Sequence, residues 1–263
     1  MSSYFTPSTG RPSSFWETAS TLRWDNLSAP LTPAVHRHLR NVYSNLAAML
    51  AVSAIGAYAD VTGVVTGGIW SAFAGLGCLL AFNYYKAASG RNDTTRKALL
   101  YGFAFLKGLS IGPLISSALY FDPSIIPKSL LGTALIFASF TLSVLTSPSR
   151  SAIYTRGLIA TGTSLLFFLS IFNLFAGSSR LFSLELYLGL LVFAGFVVFD
   201  TQVMVQNAEV AARAAGKLDY LEDSMQLYVD FVAIFVRLLV LLQKKAADKE
   251  EDRRRKKRDE RRR

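Results

Sequence analysis

Apolar residues in this chain are gathered into blocks about twenty long, and that block length constrains the fold more than any other feature. A helix needs about 20 apolar residues to cross a hydrocarbon core of ~30 Å. A soluble core would show shorter amphipathic segments. The chain has 263 residues, 51% of them apolar, and a mean hydropathy of +0.33. An all-α, polytopic membrane helix bundle is therefore expected. Seven segments can be drawn, near Val42–Tyr58, Val64–Tyr84, Ala98–Phe121, Ser129–Thr146, Leu158–Ala176, Leu184–Val205 and Met225–Leu242. The seventh contains Asp230 and Arg237, so it is expected to be shielded by the other six rather than exposed to lipid.

Around this helical domain, taken as residues 39–243, lie a polar N-terminal arm (1–38) and a mixed-charge tail (244–263). The arm is rich in Ser, Thr and Pro and has no apolar core segment, so a cleavable leader is not expected. The net charge of +10 is concentrated in the tail, where 12 Lys/Arg and 6 Asp/Glu give +6. Such mixed-sign runs read as a solvated helix or a disordered arm. The tail could also hold to anionic lipid or dock cell-death regulatory proteins. Nucleic-acid binding is not expected, because no aromatic residues interleave with the charges. Within the segments, Gly67, Gly68, Gly75, Gly77, Gly102, Gly108 and Gly112 are read as helix-packing positions. Pro113 should kink the third segment and free a carbonyl.

Charge also gives an orientation. Lys86, Arg91, Arg96 and Lys97 crowd one connector, Arg150 and Arg156 another, and Arg11, Arg23, Arg37 and Arg40 precede the first segment. The alternate connectors are short and poor in cations, which puts the N-terminus in the cytosol. Both sequons, at Asn26 and Asn92, are then cytosolic and unused. Seven full crossings would place the basic tail on the far side. A seventh segment that dips in and returns would keep it cytosolic, and the charge rule favours that option.

Composition removes several chemistries. Cys78 is the single cysteine, so neither an intrachain disulfide nor a cysteine-cluster metal site can form. His36 and His38 are the only histidines, and no HExxH pattern exists. What remains is acid where acid is costly. Asp200 ends the run SLELYLGLLVFAGFVVFD, and Asp230 lies early in SMQLYVDFVAIFVRLLVLLQKK. An ionised carboxylate inside a membrane must be paired, hydrated or neutralised, so each is a functional-site candidate. The bland alternative is that each marks a helix end and reaches water. In the derived topology the sixth segment ends and the seventh begins on the same side, which brings the two acids to similar depth.

The stretches Gly108-Leu-Ser-Ile-Gly-Pro-Leu114, Gly132-Thr-Ala-Leu-Ile-Phe137, Phe199-Asp-Thr-Gln202 and Tyr228-Val-Asp-Phe231 resemble, in order and spacing, the Bax inhibitor-1 family. The resemblance runs from the first segment to the seventh. It implies a non-enzymatic suppressor of programmed cell death in the endoplasmic reticulum membrane, with a pH-sensitive calcium leak. No cofactor is implied, and calcium is the transported ion. The resemblance also implies that Asp200 and Asp230 form a proton-linked pair. Bacterial relatives add an arginine near the end of the second segment, where this chain reads Phe82-Asn-Tyr-Tyr-Lys86. Lys86, Lys107 and Arg237 are therefore the candidate counter-cations.

Two carboxyl groups in contact at low dielectric resist double ionisation and titrate as a pair. Loss of their shared proton exchanges a hydrogen bond for repulsion between two helices. Ca²⁺ prefers several oxygen ligands, so Asp200 and Asp230 should contact it weakly and transiently, since a conducted ion must also leave. A shared proton could instead activate water, as in aspartic proteases. Against this, the residues before Asp230 are Gln226-Leu-Tyr-Val229 rather than a Gly-x-Gly lead.

Overall fold

The computed structural model describes residues 33–88, 93–146, 152–214 and 218–260; the side chains of 86–88, 152–156 and 212–214 fall outside the description. The arm as far as residue 32 and the asparagines of both sequons also lie outside it. Seven helices and no strand make up the described residues: α1 (Pro33–Val61), α2 (Ile69–Ala88), α3 (Asp93–Phe121), α4 (Ile125–Thr146), α5 (Ala152–Ala176), α6 (Ser179–Ala214) and α7 (Tyr220–Glu260). Six are long and apolar enough to cross a membrane, and α2 carries a shorter apolar stretch, Ile69–Tyr85. The molecule is thus a polytopic helical bundle. Its outer surface is itself apolar: Trp70, Leu174 and Phe175 are at least 80% exposed. Such a surface suits hydrocarbon and would be a liability in water.

Several boundaries depart from expectation, and the first helix already begins at Pro33, inside the stretch taken as the polar arm, rather than near Val42. The second helix starts at Ile69 rather than Val64, because Gly63 and Gly68 take φ values of +74° and +114° in the connector. Such left-handed backbone does not continue a helix. The sixth helix does not stop near Val205 but runs to Ala214. The seventh is a single helix of 41 residues, about 61 Å long at 1.5 Å per residue. It passes without a break through residue 243 into the tail, so no return turn of the kind a dip-and-return path needs interrupts this helix. The solvated-helix reading of the tail holds as far as Glu260.

Close backbone approach joins α1 to α3. A Cβ on Gly108 would overlap the Ser53 carbonyl, and one on Gly56 would overlap the carbonyl of Phe105. The two helices therefore meet through mutual notches, as small residues permit in lipid. Pro113 lies inside α3 and has no N–H for the carbonyl of Leu109. Gly67 packs directly on that carbonyl. The core runs between α1, α3, α6 and α7, with Met49, Leu100, Ala104, Val197, Tyr228 and Ile234 at its centre. α7 packs against α1, α3, α4 and α6, which is why a helix with internal charges is tolerated.

Candidate functional site

Residues Asp219, Asp223 and Asp230 lie four and seven apart, which at 3.6 residues per turn puts them on one face of α7. Each meets a different helix. Asp219, at the N-terminus of α7, receives a hydrogen bond from Arg96 Nη2 of α3 at 2.7 Å. Its other oxygen caps the helix, accepting the Glu222 N–H at 3.4 Å. One turn on, Asp223 Oδ2 is 2.7 Å from His38 Nε2 of α1. Two turns deeper, the carboxyl group of Asp230 lies close enough to that of Asp200 on α6 for the two to act on each other electrostatically. The face is a ladder of three acidic rungs, answered in turn by a guanidinium, an imidazole and a second carboxyl.

The third rung differs in kind. Asp230 is 4% exposed, and its buried Oδ2 has no hydrogen-bond partner among the described residues. Asp200 is half-buried and also feels the charge of Asp223. A carboxyl–carboxyl hydrogen bond requires a proton on one partner. Next to Asp200 in sequence, the Thr201 hydroxyl of α6 converges with those of Tyr43 of α1 and Thr141 of α4, all three buried and none with a well-formed hydrogen bond. The Phe-Asp-Thr-Gln motif thus contributes a carboxyl to one contact and a hydroxyl to its neighbour.

Asp200 does not mark a helix end, since α6 continues for another fourteen residues to Ala214. The counter-cation candidates fall elsewhere. The Lys86 side chain lies outside the described residues. Lys107 is half-buried in α3, and no acidic group among the described residues acts on it. Arg237 is placed away from the acid pair. It lies in a notch left by Gly189, stacks 4.1 Å over the Phe193 ring and bonds to the Ala233 carbonyl at 3.2 Å. The acid it feels is Glu185, which accepts hydrogen bonds from Ser170 and Asn173. Its separation from Asp230 explains the placement: seven residues carry Arg237 about 10 Å further along the helix, beyond the level of Asp200.

Sequence reading missed Arg96, His38, Asp219 and Asp223 as a group. Arg96 was read as a connector cation, yet it is 1% exposed and lies 4.5 Å over the Phe82 ring. The signal available was the spacing of the three acids on one face of α7. Nothing local to Arg96 or His38 points to a distant acid.

Comparison with known proteins agrees with the helices and motifs. The family described as "Inhibitor of apoptosis-promoting Bax1" matches residues 35–247, so the match starts in α1 and ends in α7. Bax inhibitor 1 of Rattus norvegicus is 39% identical over 216 residues, covering 81% of this chain and 87% of that protein. The Arabidopsis thaliana protein of the same name is 37% identical over 213 residues, covering 81% and 83%. That of Oryza sativa subsp. japonica is 36% identical over 233 residues, covering 88% and 90%. With matches of this extent, and with Asp200 and Asp230 lying inside the matched span, the chain belongs to the Bax inhibitor-1 family.

Proposed function

We propose that this protein is a suppressor of programmed cell death in the endoplasmic reticulum membrane and acts as a pH-sensitive calcium leak gated by Asp200 and Asp230. The N-terminus of α1 faces the cytosol in this reading, and α7 carries the basic tail across the membrane. Family membership supports the cell-death role. The observation that carries the gate is a buried carboxyl group, Asp230, with an unpartnered oxygen and a second carboxyl group, Asp200, close enough to act on it, and no cation acting on either among the described residues. A proton shared between the two draws α6 to α7. When it leaves, two negative charges face each other at low dielectric and the helices separate. The latch is therefore closed at low pH and released as pH rises. Calcium touches the freed carboxylates briefly and passes on, and no catalytic step is involved.

The test is calcium efflux from loaded vesicles carrying the full chain, followed across pH. Asp200→Asn and Asp230→Asn each leave a neutral hydrogen-bonding group and should each flatten the pH response. Unchanged profiles in both variants would reject the pair as the sensor. Cleavage of a membrane substrate that disappears in Asp230→Ala would point instead to proteolysis.

A second reading has its own observation. Beyond Lys244 the tail continues as a helix with ion pairs at Arg254–Glu250 and Arg255–Glu251, a rigid element suited to docking a protein partner. If deleting residues 246–263 abolishes protection from cell death while efflux is intact, that reading is favoured over the leak.

A further inference from the structure

Between α1, α3, α4 and α7 lies a cavity of about 350 Å³, whose lining includes neither Asp200 nor Asp230. It exists because one wall is built from small residues. Ala54 and Ala57 leave space that Ile115, Phe231 and Phe235 on the other walls do not fill. Its lining is almost wholly apolar. The Ser53 hydroxyl in the wall already accepts a hydrogen bond from the Tyr228 hydroxyl at 3.1 Å. A buried water needs two to four polar partners, and this cavity does not offer them. Its natural occupant is hydrocarbon.

Length and opening narrow the choice. Along α1 the lining extends from Leu50 to Val61, about 16 Å of helix rise. That is close to one leaflet, half of a ~30 Å hydrocarbon core. On the outer side, Tyr58, Leu119 and Leu130 are 70%, 38% and 51% exposed. Through them the cavity is continuous with the surface that faces lipid. α1 and α4 make no substantial contact with each other, so this side is open laterally. We propose that the cavity binds one acyl chain of a bilayer phospholipid, which enters between α1 and α4 from the leaflet at the C-terminal end of α1. The inner wall is Phe231 and Val232, the residues directly after Asp230, so the bound chain braces α7 at the level of the acid pair. The proposal does not depend on Asp200 and Asp230 forming a gate, and its test does not measure flux.

The full chain is reconstituted in phosphatidylcholine vesicles doped with a phosphatidylcholine carrying a diazirine at the middle of one acyl chain. After illumination, adducts are mapped by mass spectrometry. Labelling at Ile115 and Phe235 should exceed that at the freely lipid-facing Leu165 and Leu191 several-fold. Ala54→Leu fills the cavity and should bring Ile115 and Phe235 down to the level of Leu165 and Leu191, whose labelling stays the same. Ile115→Phe, read at Phe235, gives the same test from a second wall should the first variant not fold. Uniform labelling in the native chain, or labelling that survives both fillings, overturns the site. Loss of the signal to excess free fatty acid overturns the assignment to phospholipid. Cross-links between two copies at Tyr58 and Leu130 that exclude the probe overturn it in favour of a dimer contact.

Discussion

At Gly108 a single hydrogen in place of a side chain decides how closely α1 and α3 pack. The Ser53 carbonyl occupies the space a Cβ would need, and a backbone neighbour cannot rotate away. Gly108→Ala should cost about 1–3 kcal/mol, the usual range for overpacking, seen as a lower thermal midpoint in detergent. Gly77→Ala meets nothing within 4 Å and should leave the midpoint unchanged or slightly raised. The sequence marks both glycines as packing positions and does not rank them, because the obstructing atom belongs to another helix. Asp122 shows a local case. The Ser124 hydroxyl and N–H both donate to its carboxylate and, with lesser help from Lys128, hold its pKa below the ordinary value. A depressed acid stabilises the fold above its unfolded pKa, and that contribution is lost as pH falls through the folded one. Exchange of the Ser124 amide should therefore accelerate in that acid range. Asp122→Asn should remove the pH dependence, and an unchanged profile would show that the carboxylate does not order the connector.

Among the elements, α7 is the one on which the others converge. Its acids reach α3 through Arg96, α1 through His38 and α6 through Asp200. Breaking one rung tests whether the ladder supports the bundle. Asp219→Ser keeps a helix-capping acceptor but strands a guanidinium that is 1% exposed. The expected loss is about 3 kcal/mol, at the low end for a broken buried pair, because the Asp219 side chain is 23% exposed. Arg96→Met combined with Asp219→Ser should recover most of it, since the buried charge is gone. A double variant no better than the single one would show that the ion pair is not the source. The spacing of the three acids is legible in the sequence, but their partners are not. His38 and Asp223 are 185 positions apart, and nothing in either neighbourhood encodes the other.

For the whole molecule, the path of α7 fixes which ends share a side. Its start meets Arg96 and His38, near the beginnings of α3 and α1. Its later part meets the start of α6, where Lys244 donates to the Ser179 carbonyl at 2.8 Å. The tail and the beginning of α1 therefore emerge on opposite faces of the bundle. In a Cys78→Ser background, His36→Cys and Ala247→Cys should react with an impermeant thiol reagent from opposite sides of sealed vesicles. Reaction from the same side would reject a single passage of α7. The charge rule points the other way because it counts cations near helix ends and cannot see that α7 continues unbroken into the tail.

The linear order of residues determined the membrane class, the number of helical segments and the two acids worth attention. Each of these follows from local properties: the length of apolar runs and the cost of a carboxylate within one of them. The tertiary structure decided the partners. It set Asp230 against Asp200, placed Arg96 and His38 on the neighbouring rungs, turned Arg237 away toward Glu185 and left a cavity beside Ala54 and Gly108. Such pairings depend on which faces of distant helices meet, and helix packing settles that only when all the helices are in place.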